Sequence, residues 1–249
     1  MSLAFVTGGS RGLGLETAKG LIKAGHQVVL FAKNEERLKG AATELNSNNL
    51  VVDLENIAQT REAFKVAVEK FGVPEILMLA HGVMSDRLAK TLKATDAEWS
   101  RVMTINLDSV FTIVNEVGSK MAEARNGRIV IYSACLGRMS GPGNAGGLAP
   151  YRISKAGVNA LVRNLAHETG HGSRGFWVDA ICPNHSRTDM GGENAPRSAA
   201  EAVRSSADPV KPTGSSGRHR GEVATAQRKN PACAGLKSVP CQEVSEAEA

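Results

Sequence analysis

Two stretches of this sequence bring together residue types that can do chemistry. In Tyr151-Arg152-Ile153-Ser154-Lys155 the tyrosine and lysine stand four positions apart, so on a helix both side chains leave one face and reach one ligand. A phenol with a reference pKa of about 10 exchanges its proton poorly at neutral pH, and an adjacent ammonium favours the phenolate. The pair is therefore a candidate acid-base group. The same spacing also describes an amphipathic surface pair, so the position in the fold has to decide. The second stretch is Thr7-Gly8-Gly9-Ser10-Arg11-Gly12-Leu13-Gly14. Glycines there permit a tight turn and a close approach to a pyrophosphate, and a following helix offers unpaired N–H groups and its positive dipole end.

The elements that would position these groups alternate along the chain. Strand-like runs are Leu3 to Thr7, Gln27 to Ala32, Leu50 to Asp53, Glu75 to Ala80, Arg128 to Ser133 and Phe176 to Cys182. Helical periodicity marks Gly12 to Ala24, Glu35 to Leu45, Ile57 to Phe71, Asp96 to Ala124 and Tyr151 to Thr169, with a Gly/Pro-rich loop from Gly137 to Pro150. Repeated β-α units with right-handed crossovers give an α/β fold, a doubly wound parallel sheet with helices on both faces. The glycine run then sits between the first strand and first helix, and Tyr151 follows the fifth strand.

Composition narrows the setting. A length of 249 residues suits one large α/β domain. No apolar run approaches the roughly 20 residues that span a bilayer, and Leu3 to Thr7 already reads as a strand rather than a leader. Cys135, Cys182, Cys233 and Cys241 show no metal-ligand spacing and read as reduced thiols of a cytoplasmic protein. The net charge of +5 suits an anionic cofactor as well as nucleic acid. The region Pro209 to Ala249 lacks apolar periodicity, which predicts a domain over 1–198 followed by an atypical, partly disordered segment over 199–249. A basic tail binding nucleic acid is less expected than disorder.

Thr7-Gly8-x-x-x-Gly12-x-Gly14, together with Tyr151 and Lys155, resembles the short-chain dehydrogenase/reductase family over roughly residues 3 to 198. Tyr151-Arg-x-Ser-Lys155, Cys182-Pro183 and Arg187-Thr188-Asp189-Met190-Gly191-Gly192 look most like its carbonyl-reductase-like branch. The resemblance implies a single Rossmann-like domain that moves a hydride between a nicotinamide cofactor and a ketone, aldehyde or alcohol. It assigns Tyr151 as the acid, Lys155 as its electrostatic partner and a ribose contact, and Asn106 as support for a water-mediated proton path.

The same resemblance places Gly8, Ser10, Arg11, Gly12, Leu13 and Gly14 around the cofactor phosphates. Asp53 falls on the adenine amino group and Thr188 on the nicotinamide carboxamide, Leu54 and Pro183 add backbone contacts, and Gly82 is a further cofactor-binding residue. Where NAD-dependent members carry an acidic residue this chain has Ala32, followed by Lys33. With Arg11, Lys33 would flank a 2′-phosphate, so the implied cofactor is NADP(H). The residues alone leave other readings: solvated charges for Lys33 and Arg11, and turn caps for Asp53 and Thr188.

Three departures stand out. The family's Ser-Ser-x-x-Gly is here Ser133-Ala134-Cys135-Leu136-Gly137, so the hydroxyl that would polarise the substrate carbonyl is missing at Ala134. Ser133, turned inward by a bulge, or Ser140 from the loop are the candidates to replace it. Leu79-Ala80-His81-Gly82 stands for Asn-Asn-Ala-Gly, placing a bulky His81 beside the expected ribose, and Pro183-Asn184-His185 stands for Pro-Gly-Trp. Both histidines read as polar loop residues rather than metal ligands. The expected protein is an NADP(H)-dependent carbonyl reductase, a homodimer or homotetramer through its long helices. It would act on a small molecule and contact neither membrane nor nucleic acid. The alternative is a catalytically impaired relative serving as a nucleotide sensor or partner-binding module.

Overall fold

The computed structural model describes residues 1–85, 91–138 and 148–183, together with the backbone of Ser186–Arg187 and Arg197–Ser198. Ser140, Asn184, His185, Thr188 and the whole of 199–249 lie outside the described residues.

Six strands form one parallel sheet: β1 (Leu3–Thr7), β2 (Gln27–Ala32), β3 (Asn48–Val51), β4 (Ile76–Leu79), β5 (Gly127–Tyr132) and β6 (Phe176–Ile181). Their order is β3-β2-β1-β4-β5-β6, so the winding reverses between β1 and β4. A doubly wound sheet binds its ligands in the crevice at that reversal, outside the carboxyl ends of the strands. The central strands are apolar on both faces because helices cover both. Phe5, Val29 and Leu77 face one cluster with Phe64, Ile113 and Val158, while Ala4, Val6 and Met78 face another with Ala18, Leu21 and Leu38.

Helices α1 (Gly12–Lys23) and α2 (Glu35–Leu45) therefore cover one face. On the other lie α3 (Ile57–Phe71), α7 (Ala149–Glu168) and a long helical segment over 96–123. The sequence periodicity predicts a helix from Asp96 to Ala124, and the family resemblance has Asn106 interrupt it. It keeps the length but is divided into α4 (Asp96–Met103), a π-turn over Thr104–Asp108, α5 (Ser109–Ile113), a second π-turn over Val114–Gly118 and α6 (Ser119–Glu123).

Two boundaries differ from the sequence reading in ways that matter for the site. The edge strand β3 starts earlier, pairing Asn48 to Val51 with Val29 to Ala32, so Asp53 lies beyond the strand rather than ending it. Helix α7 begins at Ala149, and Pro150 occupies its first turn. An N–H there would lack an intrahelical partner anyway, so proline extends the helix instead of closing the loop.

Gly14 belongs to α1, yet a Cβ on it would overlap the Gly8 carbonyl, so its glycine lets α1 seat against the end of β1. Gly20 lies in the same helix with open space around it. Gly14→Ala is expected to destabilise the protein by about 1–3 kcal/mol through overpacking. Gly20→Ala should stabilise it by about 0.5–1 kcal/mol. Urea unfolding of the two variants checks the contrast, and equal effects would contradict the packing described.

Candidate active site

At the reversal between β1 and β4 lies a cleft of about 260 Å³, lined along one side by Gly8 and by Ser10 to Gly14. Gly8 (φ 65°) and Gly12 (φ 55°) take the left-handed backbone that glycine adopts without strain. A Cβ on Gly8 would press on the backbone of Ala80 and His81 at 3.1 Å. The turn is therefore held tightly against the end of β4, and Arg11, in extended conformation, precedes the N-terminus of α1.

At one end of the cleft Lys33, Asp53 and Leu54 come together, as the sequence implied. They also interact with one another. Lys33 Nζ lies 2.7 Å from Asp53 Oδ2 and 3.9 Å from Glu55 Oε2. Asp53 Oδ1 accepts the Glu55 N–H at 3.1 Å. Burial works to raise the Asp53 carboxyl, but the Lys33 hydrogen bond and the Glu55 amide outweigh it and hold it below the usual range. The Asp53 bond likewise raises Lys33. Asp53 thus caps its turn, which was one of its two sequence readings, while also holding the cation expected at a 2′-phosphate.

At the other end stand Tyr151 and Lys155, one turn apart on α7 and both buried. Lys155 Nζ donates to the Tyr132 carbonyl at 2.7 Å and lies 5.9 Å from the Tyr151 ring centroid. Burial pushes the Lys155 amine down to about 8, with the Cys182 thiol opposing. Burial, aided by the Cys135 thiol, pushes Tyr151 up to about 12. The sequence spacing alone has the ammonium favouring the phenolate. In this form desolvation dominates instead, and Tyr151 holds its proton at neutral pH.

Ser133 and Ala134 resolve the missing hydroxyl in part. Ser133 Oγ donates to the Lys155 backbone carbonyl at 3.0 Å, so no bulge frees it for a ligand, although the residue lines the cleft. Ala134 packs with Val102, Leu148 and Tyr151. Pro183 is not among the cleft-lining residues, and its carbonyl accepts the Cys135 N–H at 3.3 Å.

Asn106 is fully buried in the first π-turn. There the Ser109 N–H reaches back five residues to the Thr104 carbonyl, and such a bulge re-aims side chains where regular helix would not. Asn106 Oδ1 accepts the Val83 N–H at 2.8 Å, while Nδ2 donates to the Val83 carbonyl at 2.9 Å and to Ser154 Oγ at 3.0 Å. Ser154 Oγ donates in turn to the Tyr151 carbonyl at 2.8 Å. A Cβ on Gly82 would sit 3.3 Å from both Asn106 Oδ1 and Lys155 Nζ, so this glycine lets the two polar groups converge.

His81 corrects the sequence reading most. It lies in the loop after β4, as read, but is buried rather than solvated, with Nδ1 2.6 Å from Thr7 Oγ1 and Nε2 2.9 Å from Ser109 Oγ. Sequence reasoning also missed Tyr132. Its carbonyl holds Lys155, and its hydroxyl lies 2.7 Å from Thr17 Oγ1. No residue-type signal marks a backbone carbonyl, so that role had nothing to be read from. Among the described residues no cluster of three or more metal-ligating side chains occurs, and no helix is long and apolar enough to cross a membrane.

A strand-glycine-helix cradle and a buried Tyr-x-x-x-Lys pair line one cleft, and an asparagine in a helix bulge stands behind it, bonded to Val83. The family model described as short chain dehydrogenase matches residues 2–199. The chain belongs to the short-chain dehydrogenase family. Its similarity extends to the 3-oxoacyl-[acyl-carrier-protein] reductase of Rickettsia prowazekii (strain Madrid E), 33% identical over 187 residues, 75% of this chain and 73% of that protein. Among solved structures, a single-residue variant of actinorhodin polyketide ketoreductase with NADPH is 29% identical with a TM-score of 0.70, covering 76% of this chain and 72% of that one. Levodione reductase is 27% identical with a TM-score of 0.70, covering 76% and 74%.

As a short-chain dehydrogenase, the chain is an oxidoreductase of the nicotinamide-dependent class. The site fits such a cofactor on its own evidence: the tight turn at Gly8 and Gly12, with Gly14 seated on the Gly8 carbonyl, brings bare backbone and the positive end of α1 to the cleft. Replacing Asn106 with alanine would leave both Val83 backbone groups unpaired. Asn106→Ala is expected to cost about 1–3 kcal/mol of stability. Thermal and urea unfolding read this directly, and unchanged stability would mean that Asn106 does not hold Val83.

Proposed function

We propose that this short-chain dehydrogenase reduces a small ketone, with NADPH as hydride source and Tyr151 as proton donor. The observation that carries the reading is the buried pair itself: a phenol held protonated, with an amine 5.9 Å from its ring centroid. The 3-oxoacyl and polyketide reductases among its relatives support a 3-oxoacyl thioester or similar ketone as substrate class.

Gly8, Ser10, Arg11, Gly12, Leu13 and Gly14 would hold the cofactor phosphates, Lys33 and Arg11 the 2′-phosphate, and Asp53 and Leu54 the adenosine end. When bound, NADPH supplies the hydride that reaches the carbonyl carbon. Tyr151 gives its phenolic proton to the carbonyl oxygen as that oxygen gains charge, and solvent later restores the proton. Lys155, while charged, lowers the energy of the phenolate left behind. Asn106 fixes Val83 and Ser154, keeping α7 and Gly82 in register with the pair. With Ala134 in place of a serine, no side-chain hydroxyl at that position steadies the developing oxyanion. Loss of such a donor typically lowers rate about 10²- to 10³-fold.

The reading extends to a catalytic unit over 1–198, to a homodimer formed through the long helices, and to a cytoplasmic setting. Phe111 on α5 and Ile153 on α7, exposed at 54% and 45%, support the second point. Cys135 and Cys182, neither in a disulfide, support the third.

Tyr151→Phe is expected to reduce kcat at least about 10²-fold while NADPH binding persists. Full activity in that variant would remove Tyr151 from the mechanism. Ala134→Ser should raise kcat about tenfold or more if the oxyanion lacks a donor. Wild-type NADPH binding without turnover, and no gain from Ala134→Ser, would instead favour a nucleotide-binding protein that has lost catalysis. The pH profile follows from Lys155. It is charged below about 8 and neutral above, so the reductive kcat should fall as pH rises through about 8. A profile flat well above that midpoint would contradict this role.

A further inference from the structure

His81 lies on the seam between the two halves of the site. Its own backbone, with that of Ala80, meets Gly8 of the phosphate cradle, and the next residue, Gly82, opens the space where Asn106 Oδ1 and Lys155 Nζ converge. The side chain is 8% exposed and lies between two hydroxyls that are wholly buried, Thr7 at the end of β1 and Ser109 at the end of the first π-turn.

The hydrogen-bond directions around the ring can be assigned. Ser109 Oγ donates its proton to the Ile105 carbonyl at 2.7 Å, so it accepts from His81 Nε2–H at 2.9 Å. Nδ1 is then the acceptor and takes the Thr7 hydroxyl proton at 2.6 Å. That contact is far shorter than the 3.4 Å from Thr7 Oγ1 to the Met78 carbonyl. Thr7 Oγ1 meanwhile accepts the Ala80 N–H at 3.1 Å. One neutral tautomer satisfies every contact, with the proton on Nε2. Burial, with the Lys155 charge adding to it, keeps the ring neutral by pushing it down to about 3. The chain of bonds ends at the Ile105 carbonyl and the Ala80 amide, so it conducts no proton to solvent and serves as a strut.

We infer that His81 is a positioning residue that couples the cofactor cradle, through Thr7, to the π-turn carrying Asn106, through Ser109. The Thr7 arm sets where Gly8 lies against β4 and so bears on NADPH affinity. The Ser109 arm holds the Ile105 carbonyl, one residue from Asn106, and so bears on the Asn106–Lys155 geometry and on kcat. This part of the inference rests on the reductase reading. Displacements of about 1 Å at a reacting group can cost on the order of 10²-fold in rate, so a two-armed strut at the cleft wall has kinetic leverage through the groups it positions.

Two substitutions separate the arms, because an asparagine amide places a polar atom near the position of Nδ1 and a glutamine amide near that of Nε2. His81→Asn keeps the Thr7 arm and loses the Ser109 arm. Its NADPH Kd, read by fluorescence titration, should stay within about twofold, while kcat falls about tenfold and the Val83 amide loses protection in hydrogen exchange. His81→Gln does the converse, with Kd raised about tenfold and Val83 protection retained. Both variants must show native circular dichroism, and Thr7→Val and Ser109→Ala, each removing one arm from the other side, should reproduce the same split. If melting temperatures fall but Kd, kcat and Val83 exchange match the wild type in all four, His81 only fills the core and the inference is overturned. Should the wild type turn over no ketone, the reductase reading fails by itself, and Kd with Val83 exchange still decides the coupling.

Discussion

An amine buried where β4, β5 and α7 meet places demands on everything around it. An ammonium removed from water is costly unless charged or dipolar partners surround it. Lys155 is 4% exposed and finds one strong partner, the Tyr132 carbonyl at 2.7 Å. That carbonyl is available because the last pair of β5 with β4 is Ile131 with Leu79, one residue before Tyr132. The helix bearing the amine is fixed in turn. Its Lys155 carbonyl accepts from Ser133, and a Cβ on Gly137 would overlap the Lys155 and Ala156 backbone, so only glycine lets the turn after β5 lie on α7. Sheet, turn and helix are thereby locked at one residue, and Tyr151, one turn earlier, inherits its position.

The other side of the amine is organised by interruption rather than by regularity. The π-turn over Thr104–Asp108 widens the helix and carries Asn106 to the backbone of Val83, where its amide pairs as a strand would. Gly82 then brings that amide and Lys155 to within reach of a common point. The arrangement keeps the polar groups satisfied by the protein itself, which reconciles a buried charge-bearing site with a stable core. It also explains how a chain lacking the serine at 134 keeps its architecture: Ala134 packs among Val102, Leu148 and Tyr151 and leaves no polar group stranded.

Most of the sheet was legible because its causes are local. Apolar runs such as Ala4 to Val6 and Val28 to Phe31, separated by helical periods, imply buried parallel strands, and the glycine run implies the turn after the first. Boundaries moved where pairing or packing decided them. β3 begins early because it registers on β2, and α7 begins early because proline suits a first turn. Tyr151, Lys155 and the glycine run, singled out from residue type and spacing, line one cleft, but what those groups bond to was not legible. The burial of His81 was not legible since its partners, Thr7 and Ser109, are 74 and 28 residues away. Ser133 reads as a candidate donor since nothing in the sequence shows its hydroxyl given to the Lys155 carbonyl. Long-range partners and backbone carbonyls leave no mark on residue type or spacing.

The site depends on the environment of one amine, whose pKa can be measured without any substrate. Lysine labelled with ¹³C at Cε, with the Lys155 resonance assigned by its loss in Lys155→Met, gives that titration by NMR. A midpoint near 8 is expected, well below the 10.5 of an ordinary lysine. A midpoint at 10.5 would mean that Lys155 is solvated, and the locked geometry described for β5, α7 and Tyr151 would be wrong.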